Sequence, residues 1–228
     1  MSKTLAVASG GMDSSTLCYY LKDRGDLAGV VSVDYGQRHR RELESAKKIA
    51  QNLGVHWTLI DLTALGSLLT GSALTDDLDV PHGHYAADNM KVTVVPNRNM
   101  ILLAAAGGVA VAQGASKLAT AVHAGDHFVY PDCRPEFIQA VSETLMVATA
   151  GFGDVEVEAP FVLNTKAEIA ATGEALMVPW EQTWTCYEGG AVHCGRCATC
   201  VERIEAFHLA GVNDPTEYAD TEYWKTVV

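Results

Sequence analysis

Thr4-Leu5-Ala6-Val7-Ala8-Ser9-Gly10-Gly11-Met12-Asp13-Ser14-Ser15 is the stretch that decides the fold. Leu5–Ala8 has the apolar pattern of a buried parallel strand. Thr16-Leu17-Cys18-Tyr19-Tyr20-Leu21 continues a helix expected over Asp13–Arg24. Between strand and helix, Gly10 and Gly11 allow a tight turn and a close approach of backbone to a ligand. A helix starting there turns its unpaired N–H groups and the positive end of its dipole toward an anion. Ser9, Ser14 and Ser15 add neutral donors. A Walker A loop needs Lys directly after its last Gly. Here the order is Gly-Met-Asp-Ser, which excludes a P-loop of the kinase or GTPase kind. The plain alternative is an ordinary Gly-rich turn with a Ser-rich helix cap.

Outward from this turn, strand and helix patterns alternate. Gly29–Asp34 reads as a second buried strand, Arg41–Leu53 as a helix stopped by Gly54, and His56–Asp61 as a third strand. This order implies an α/β fold, a doubly wound parallel sheet with right-handed crossovers. Ligands in such sheets bind outside the carboxyl ends of the strands, where the Gly10-Gly11 turn and Asp34-Tyr35-Gly36 both fall. Thr63–Val92 is polar and weakly periodic and reads as an active-site loop or lid. A buried Ala- and Leu-rich helix is expected over Met100–Gln113, a fourth strand over Lys117–His123, an amphipathic helix over Pro135–Ala150 and a fifth strand over Val155–Ala159. Thr165-x-x-Glu168 is a capping box that starts a helix running toward Leu176. A cysteine-bearing loop, Trp180–Val201, then leads into a helix ending near Leu209. The expected division is a nucleotide-binding α/β domain over 1–178 with a metal-binding segment, 179–228, packed on it.

With 228 residues, 48% of them apolar, the chain can bury a substantial core. No apolar run is expected to approach the ~20 residues of a membrane span, and the amino end lacks the long apolar stretch of a signal peptide. The expectation is a cytoplasmic protein, where six cysteines argue for metal binding or catalysis over disulfides. A net charge of −12 disfavours binding to a nucleic-acid backbone. The basic knot Arg38-His39-Arg40-Arg41, with Lys47-Lys48 beyond it, reads as a solvated helix face.

Cys186, Cys194, Cys197 and Cys200 form C-x7-C-x2-C-x2-C. Four thiolates at this spacing can close a tetrahedral shell around zinc, with glycines at 189, 190 and 195 to aim them. An iron–sulfur cluster is the rival, although no ferredoxin-type x3-C-P ending follows. His193 is an alternative ligand, or a bystander beside Cys194. Cys18 reads as core; Cys133 reads equally as inert or as facing a site.

Ser-Gly-Gly-x-Asp-Ser resembles the pyrophosphate loop of the N-type ATP pyrophosphatases. Taken in order with Asp34–Arg40, Val95-Pro96-x-Arg98-Asn99, Tyr130–Phe137, Lys166–Ile169 and the four cysteines, the chain resembles the 7-cyano-7-deazaguanine synthase family from its start to about His208. The resemblance implies an adenine nucleotide α-hydrolase-like fold and ATP-dependent conversion of 7-carboxy-7-deazaguanine and ammonia to the nitrile. It also implies zinc, Mg2+ held with the help of Asp13, and a homodimer. Ala8, Ser9, Gly10, Gly11, Met12, Asp13, Ser14, Ser15, Thr16 and Leu17, with Asp34 and Tyr35, are then expected at the nucleotide. Arg98 and Lys166 are candidates to neutralise the α-phosphate, and surface solvation is the bland reading of Lys166. Asp132 is the candidate for recognising the guanine-like ring, Arg134 for the substrate carboxylate, and Tyr130 stands beside them. Family members usually carry Ser-Gly where this chain has Phe128 and Val129, and Gly where it has Ala121. That departure raises an enzyme that stops at the amide. Wider rivals are a tRNA thiolation enzyme, which needs a reactive cysteine, and a non-enzymatic zinc module.

Overall fold

The computed structural model describes the chain except Met1, Ser2, His39, Asp77, Tyr85–Ala87 and Val129, and except the side chains of Asp88, Asn89 and Phe128. Five strands, β1 (Thr4–Val7), β2 (Leu27–Asp34), β3 (His56–Asp61), β4 (Lys117–Ala119) and β5 (Glu156–Glu158), form one sheet in the order β3-β2-β1-β4-β5. Every pairing is parallel. The chain winds from β1 out to β3, then returns to place β4 on the other side of β1. The topological switch therefore lies between β1 and β4, and opens a crevice at their carboxyl ends.

Helices cover both faces because the strands alternate strictly. Leu5, Val31, Leu118 and Val157 point to one face, where α4 (Arg98–Ala112) and α5 (Pro135–Thr149) supply Leu103, Ala106, Ile138 and Leu145. Ala6, Ala8, Val30 and Ala119 point to the other, toward α1 (Met12–Asp23), α2 (Arg41–Asn52) and α6 (Lys166–Ala175). A short helical turn, α3 (Thr63–Gly66), follows β3. The last helix, α7 (Ala198–Ala210), lays Ala206 and Phe207 against Ala170 of α6 and Trp180. Its Arg203 is fully buried and binds Asp214, Thr183 and Thr185, fastening the loop before the helix and the tail after it.

The expected elements are present with shifted ends. The fourth strand stops at Ala119 instead of His123, because β1 offers it no partner beyond Ala6. Thr120 gives one last ladder bond to the Glu158 carbonyl. The capping box at Thr165 has both of its hydrogen bonds. The segment after β3 is anchored. Ala73, Leu74 and Met90 are buried, and a Cβ on Gly66 would stand 1.7 Å from the Tyr35 carbonyl oxygen. Contrary to expectation, Met90–Ala112 is long and apolar enough to cross a membrane by composition alone, with a mean hydropathy of 1.3. Here it is broken by Pro96 and by Asn97 in the left-handed region, and its helical part packs on the sheet.

The arginines of the basic knot are exposed, as a solvated face requires, yet each has a partner. Arg40 pairs with Asp34, Arg38 donates to the Leu78 carbonyl, and Arg41 donates to the Ala191 carbonyl while lying over the Trp184 ring. His39 lies outside the described residues.

Candidate active site

The turn after β1 is shaped by backbone. Gly10 has φ +96, and a Cβ there would stand 2.2 Å from the Glu42 carbonyl oxygen and 2.5 Å from the Ala46 nitrogen of α2. Only glycine meets both demands. Ser14 locks the turn, its Oγ accepting from the Gly10 N–H at 3.1 Å. Gly11 caps α1 with extended backbone. The amino end of α1 thus opens into a cavity of about 240 Å³ at the β1/β4 switch point.

Ala8, Ser9, Gly11, Met12, Asp13 and Ser14 line this cavity, and so does Tyr35. Five other residues expected at the nucleotide do not, Asp34 among them: Gly10 packs on α2, Ser15 is buried, Thr16 donates back to the Met12 carbonyl and Leu17 belongs to the core. Asp34 is buried, accepts from the Gly36 N–H and pairs with Arg40, away from the cavity wall.

Lys166 is buried, not solvated. The capping box sets the first turn of α6, and from it the ammonium reaches Asp13 Oδ2 at 3.1 Å and Glu202 Oε2 at 2.7 Å. Burial alone would lower its pKa, but Asp13, Glu202 and Asp126 outweigh that and hold it protonated, well above its ordinary range. Burial pushes the Glu202 carboxyl up against the opposing pull of Lys166. His123, four residues beyond the end of β4, is buried beside them. Its Nδ1 accepts from the Gly125 N–H at 3.1 Å, which leaves the proton on Nε2, 3.9 Å from Asp13 and 3.7 Å from Asp126. Asp13 Oδ1 is buried without a hydrogen-bond partner. A hard carboxylate oxygen so placed at an anion-binding helix end fits a magnesium–phosphate ligand.

Arg98 also lines the cavity, from the first turn of α4. The expected substrate residues do not join it on the wall. Asp132 Oδ2 accepts from the Asn99 N–H at 3.0 Å, and Asn99 Nδ2 returns bonds to the Asp132 carbonyl and to Cys133 Sγ. Asp132 therefore caps the helix that carries Arg98. The Tyr130 hydroxyl is buried against Thr93, and Arg134 donates to the His127 carbonyl. Cys133 lines the cavity, but burial pushes its thiol well up, so it is not held as a thiolate. Burial likewise pushes the core thiol of Cys18 up to about 12. Ala121 is on the wall; Val129 lies outside the described residues.

The four cysteines converge. Their Sγ atoms all lie within 4.8 Å of one another, close to the ~3.8 Å edge of a tetrahedron with Zn–S bonds of ~2.3 Å. The N–H groups of Arg196 and Cys197 point at Cys194 Sγ at 3.3 and 3.2 Å, and that of Cys194 at Cys186 Sγ at 3.4 Å. Hydrogen bonds from the other three cysteines pull the Cys186 thiol far below its usual value. This donor set fits a metal ion. His193 takes no part: its Nε2 accepts from the Thr185 N–H, and its ring stacks on Trp184.

Sequence reasoning missed Glu202, His123 and Asp126, and also Thr185, Tyr187 and Thr199, which bring the cysteine lobe to the cavity wall. The available signal for Glu202 was its place two residues after Cys200, on a helix the metal must orient.

Residues 3–211 match the family model described as queuosine biosynthesis protein QueC. The chain is 56% identical over 226 residues to a 7-cyano-7-deazaguanine synthase from Ruegeria pomeroyi, covering 99% of this chain and 98% of that one. It is 55% identical over 226 residues to the protein of that name from Brucella anthropi, covering 99% and 97%. Among solved structures, an NMN synthetase from Francisella tularensis aligns with 99% of this chain and 82% of its own at 14% identity and a TM-score of 0.45.

Proposed function

We propose, from the premise that this chain belongs to the queuosine biosynthesis protein QueC family, that it is an enzyme of deazapurine biosynthesis. In this reading it turns 7-carboxy-7-deazaguanine and ammonia into 7-cyano-7-deazaguanine, cleaving ATP to AMP and pyrophosphate. The supporting observation is the cavity itself: a helix amino end, Asp13 and a permanently charged Lys166 share one crevice at the sheet's switch point. That arrangement suits a polyphosphate more than any other ligand class.

A carboxylate resists attack by ammonia because it is charged and lacks a leaving group. Its oxygen attacks the α-phosphorus of ATP, and the α–β bridging bond breaks with its electrons going to pyrophosphate. Ammonia then adds to the acyl carbon, loses a proton and expels AMP, leaving the amide. In a second round the amide oxygen attacks the α-phosphorus of another ATP. The nitrogen gives up two protons as AMP departs, and the nitrile remains. The α1 amino end and Lys166 hold the departing pyrophosphate, their donors fixed before charge develops. Mg2+, bound with Asp13, would neutralise the phosphates. Ser9 and Ser14 donate to their oxygens, and Tyr35 stands beside the nucleotide or substrate.

Zinc is the ion we assign to the cysteines, with a structural role on segment 179–228 docked on domain 1–178. Elemental analysis finding stoichiometric iron with inorganic sulfide would replace it. A homodimer working in the cytoplasm on small molecules, without nucleic acid, completes the reading; light scattering measures the subunit number. The main test is product mass with AMP counted per product. A nitrile with two AMP supports the reading. Release of ADP ends it. Because the Ala121 methyl narrows the wall where relatives usually carry Gly, a second reading is release of the amide with one AMP. The buried, protonated Cys133 disfavours a thiolation enzyme.

A further inference from the structure

The cavity wall carries two cations in unlike states. Lys166 is already neutralised: two carboxylates lie within 3.1 Å of its nitrogen. Arg98 forms no ion pair with a described carboxylate. Its neighbours are aromatic and weakly polar: it lies 5.8 Å over the Tyr130 ring, donates from Nε to Asn99 Oδ1 at 3.3 Å, and has Tyr35, Tyr187 and Cys133 around it. A guanidinium kept in a half-buried cavity without a counter-ion is incomplete until an anion arrives.

The backbone below it is fixed for that purpose. Asn97, just before Arg98, is in the left-handed region at φ 58, a conformation few residues other than glycine take. Asp132 holds the same turn from the other side through its carboxylate and its carbonyl. Conformational cost and a dedicated cap are together spent on aiming one side chain.

Resting on the function proposed above, we infer that Arg98 is the receptor for the substrate's own carboxylate, and that the phosphates are left to the α1 amino end and Lys166. The chemistry discriminates between these anions. A planar carboxylate matches the guanidinium fork with two parallel N–H···O bonds, whereas a magnesium-bound phosphate needs only point charge and backbone donors. Tyr35 and Tyr187, on the same wall, offer the apolar surface a flat heterocycle needs beside that fork. The site assigned is thus for a planar aromatic monocarboxylate, with Arg98 as its specificity-determining residue and Asp132 as the positioning residue behind it. This moves carboxylate recognition from Arg134, which faces the His127 carbonyl, to Arg98.

The assignment has a consequence that a phosphate role lacks. The amide intermediate has no carboxylate, so its binding should depend little on Arg98. The experiment is equilibrium titration of wild type, Arg98→Ala and Arg98→Lys, all metal-loaded, with 7-carboxy-7-deazaguanine, with 7-amido-7-deazaguanine and with ATP plus Mg2+. Arg98→Ala should lose on the order of 100-fold in affinity for the carboxylate and less than about threefold for the amide and for ATP. Arg98→Lys, which keeps the charge and loses the fork, should fall between, and it serves as the informative variant if the alanine protein does not fold. Equal losses for carboxylate and amide, or a loss confined to ATP, overturn the assignment. A wild type that binds both deazapurines while the variants match it overturns the assignment alone. A wild type that binds neither overturns the functional reading and this one with it.

Discussion

Two loops close one cavity by opposite means. The turn from Ala8 to Gly11 is held by backbone: a positive φ, a carbonyl against a missing Cβ, and amides left for a ligand. The loop from Trp184 to Cys200 is held by side chains, four sulfurs facing one point inside a small buried cluster with Val80, Trp184, Tyr187 and Tyr218. They meet where the Trp184 N–H donates to the Gly10 carbonyl at 2.9 Å. Trp184 also donates from its ring nitrogen to the Cys186 carbonyl at 3.0 Å. The first loop is rigid because the sheet behind it is rigid. The second is not backed by the sheet, and its clustered thiolates need an ion to hold them together. The contrast predicts that the two halves of the site fail differently.

The sharpest break is metal removal. Structural zinc contributes on the order of 10 kcal/mol in small zinc-binding folds. Chelation, or Cys200→Ser, should unfold the loop around the cysteines and expose it to protease, while the sheet and α1 persist. Limited proteolysis checks this, with circular dichroism for the sheet. A sheet that melts together with the loop would mean that the two regions are one cooperative unit. Activity should vanish either way, since Thr185, Tyr187 and Thr199 leave the wall.

Asp13→Asn reverses the pattern, with chemistry lost and fold kept. Lys166 retains Glu202 at 2.7 Å, so the buried ammonium keeps a carboxylate partner. Turnover should fall on the order of 1000-fold, about 4 kcal/mol of transition-state stabilisation. The melting temperature should move by less than about 3 °C. A variant with wild-type turnover would remove Asp13 from the mechanism.

Gly10→Ala tests the backbone loop directly. The new methyl meets the Glu42 carbonyl at 2.2 Å in a conformation that L residues avoid. The two costs together should destabilise by about 3 kcal/mol, seen in chemical denaturation, with bound zinc unchanged. A neutral outcome would show that α2 can shift away, and that the turn is less rigid than the sheet behind it.

What the sequence disclosed follows the same division. Glycine and cysteine spacings report local geometry, so the turn after β1, the capping box at Thr165 and the metal cluster were all readable. The doubly wound order was readable too, because alternating strand and helix patterns have few ways to pack. Contacts that depend on tertiary arrangement were not. Asp132 looked like a substrate ligand because a carboxylate suits the adjacent N–H donors of a guanine-like ring; only the return of α4 beside it reveals a helix cap. Lys166 looked as easily solvated as buried, since its two carboxylates come from α1 and α7, 153 residues before it and 36 after it. The fourth strand was read too long because its ending is set by β1, not by its own apolar run.

Glu202 is where the two regions are joined, and its removal has the smallest expected effect and the most specific signature. It stands on the helix that follows the metal ligands and donates no proton to the wall; it only offsets the charge of Lys166. Glu202→Gln keeps the shape and removes that offset, so the ammonium should grip phosphates harder. The Michaelis constant for ATP should then fall about threefold, and kcat should fall about fivefold as pyrophosphate leaves more slowly, an effect near 1 kcal/mol on each side. Zinc content should stay at the wild-type level. If instead KM rises and kcat holds, Glu202 serves only to place Lys166, and the metal-bearing helix supplies geometry to the phosphate site without tuning its charge.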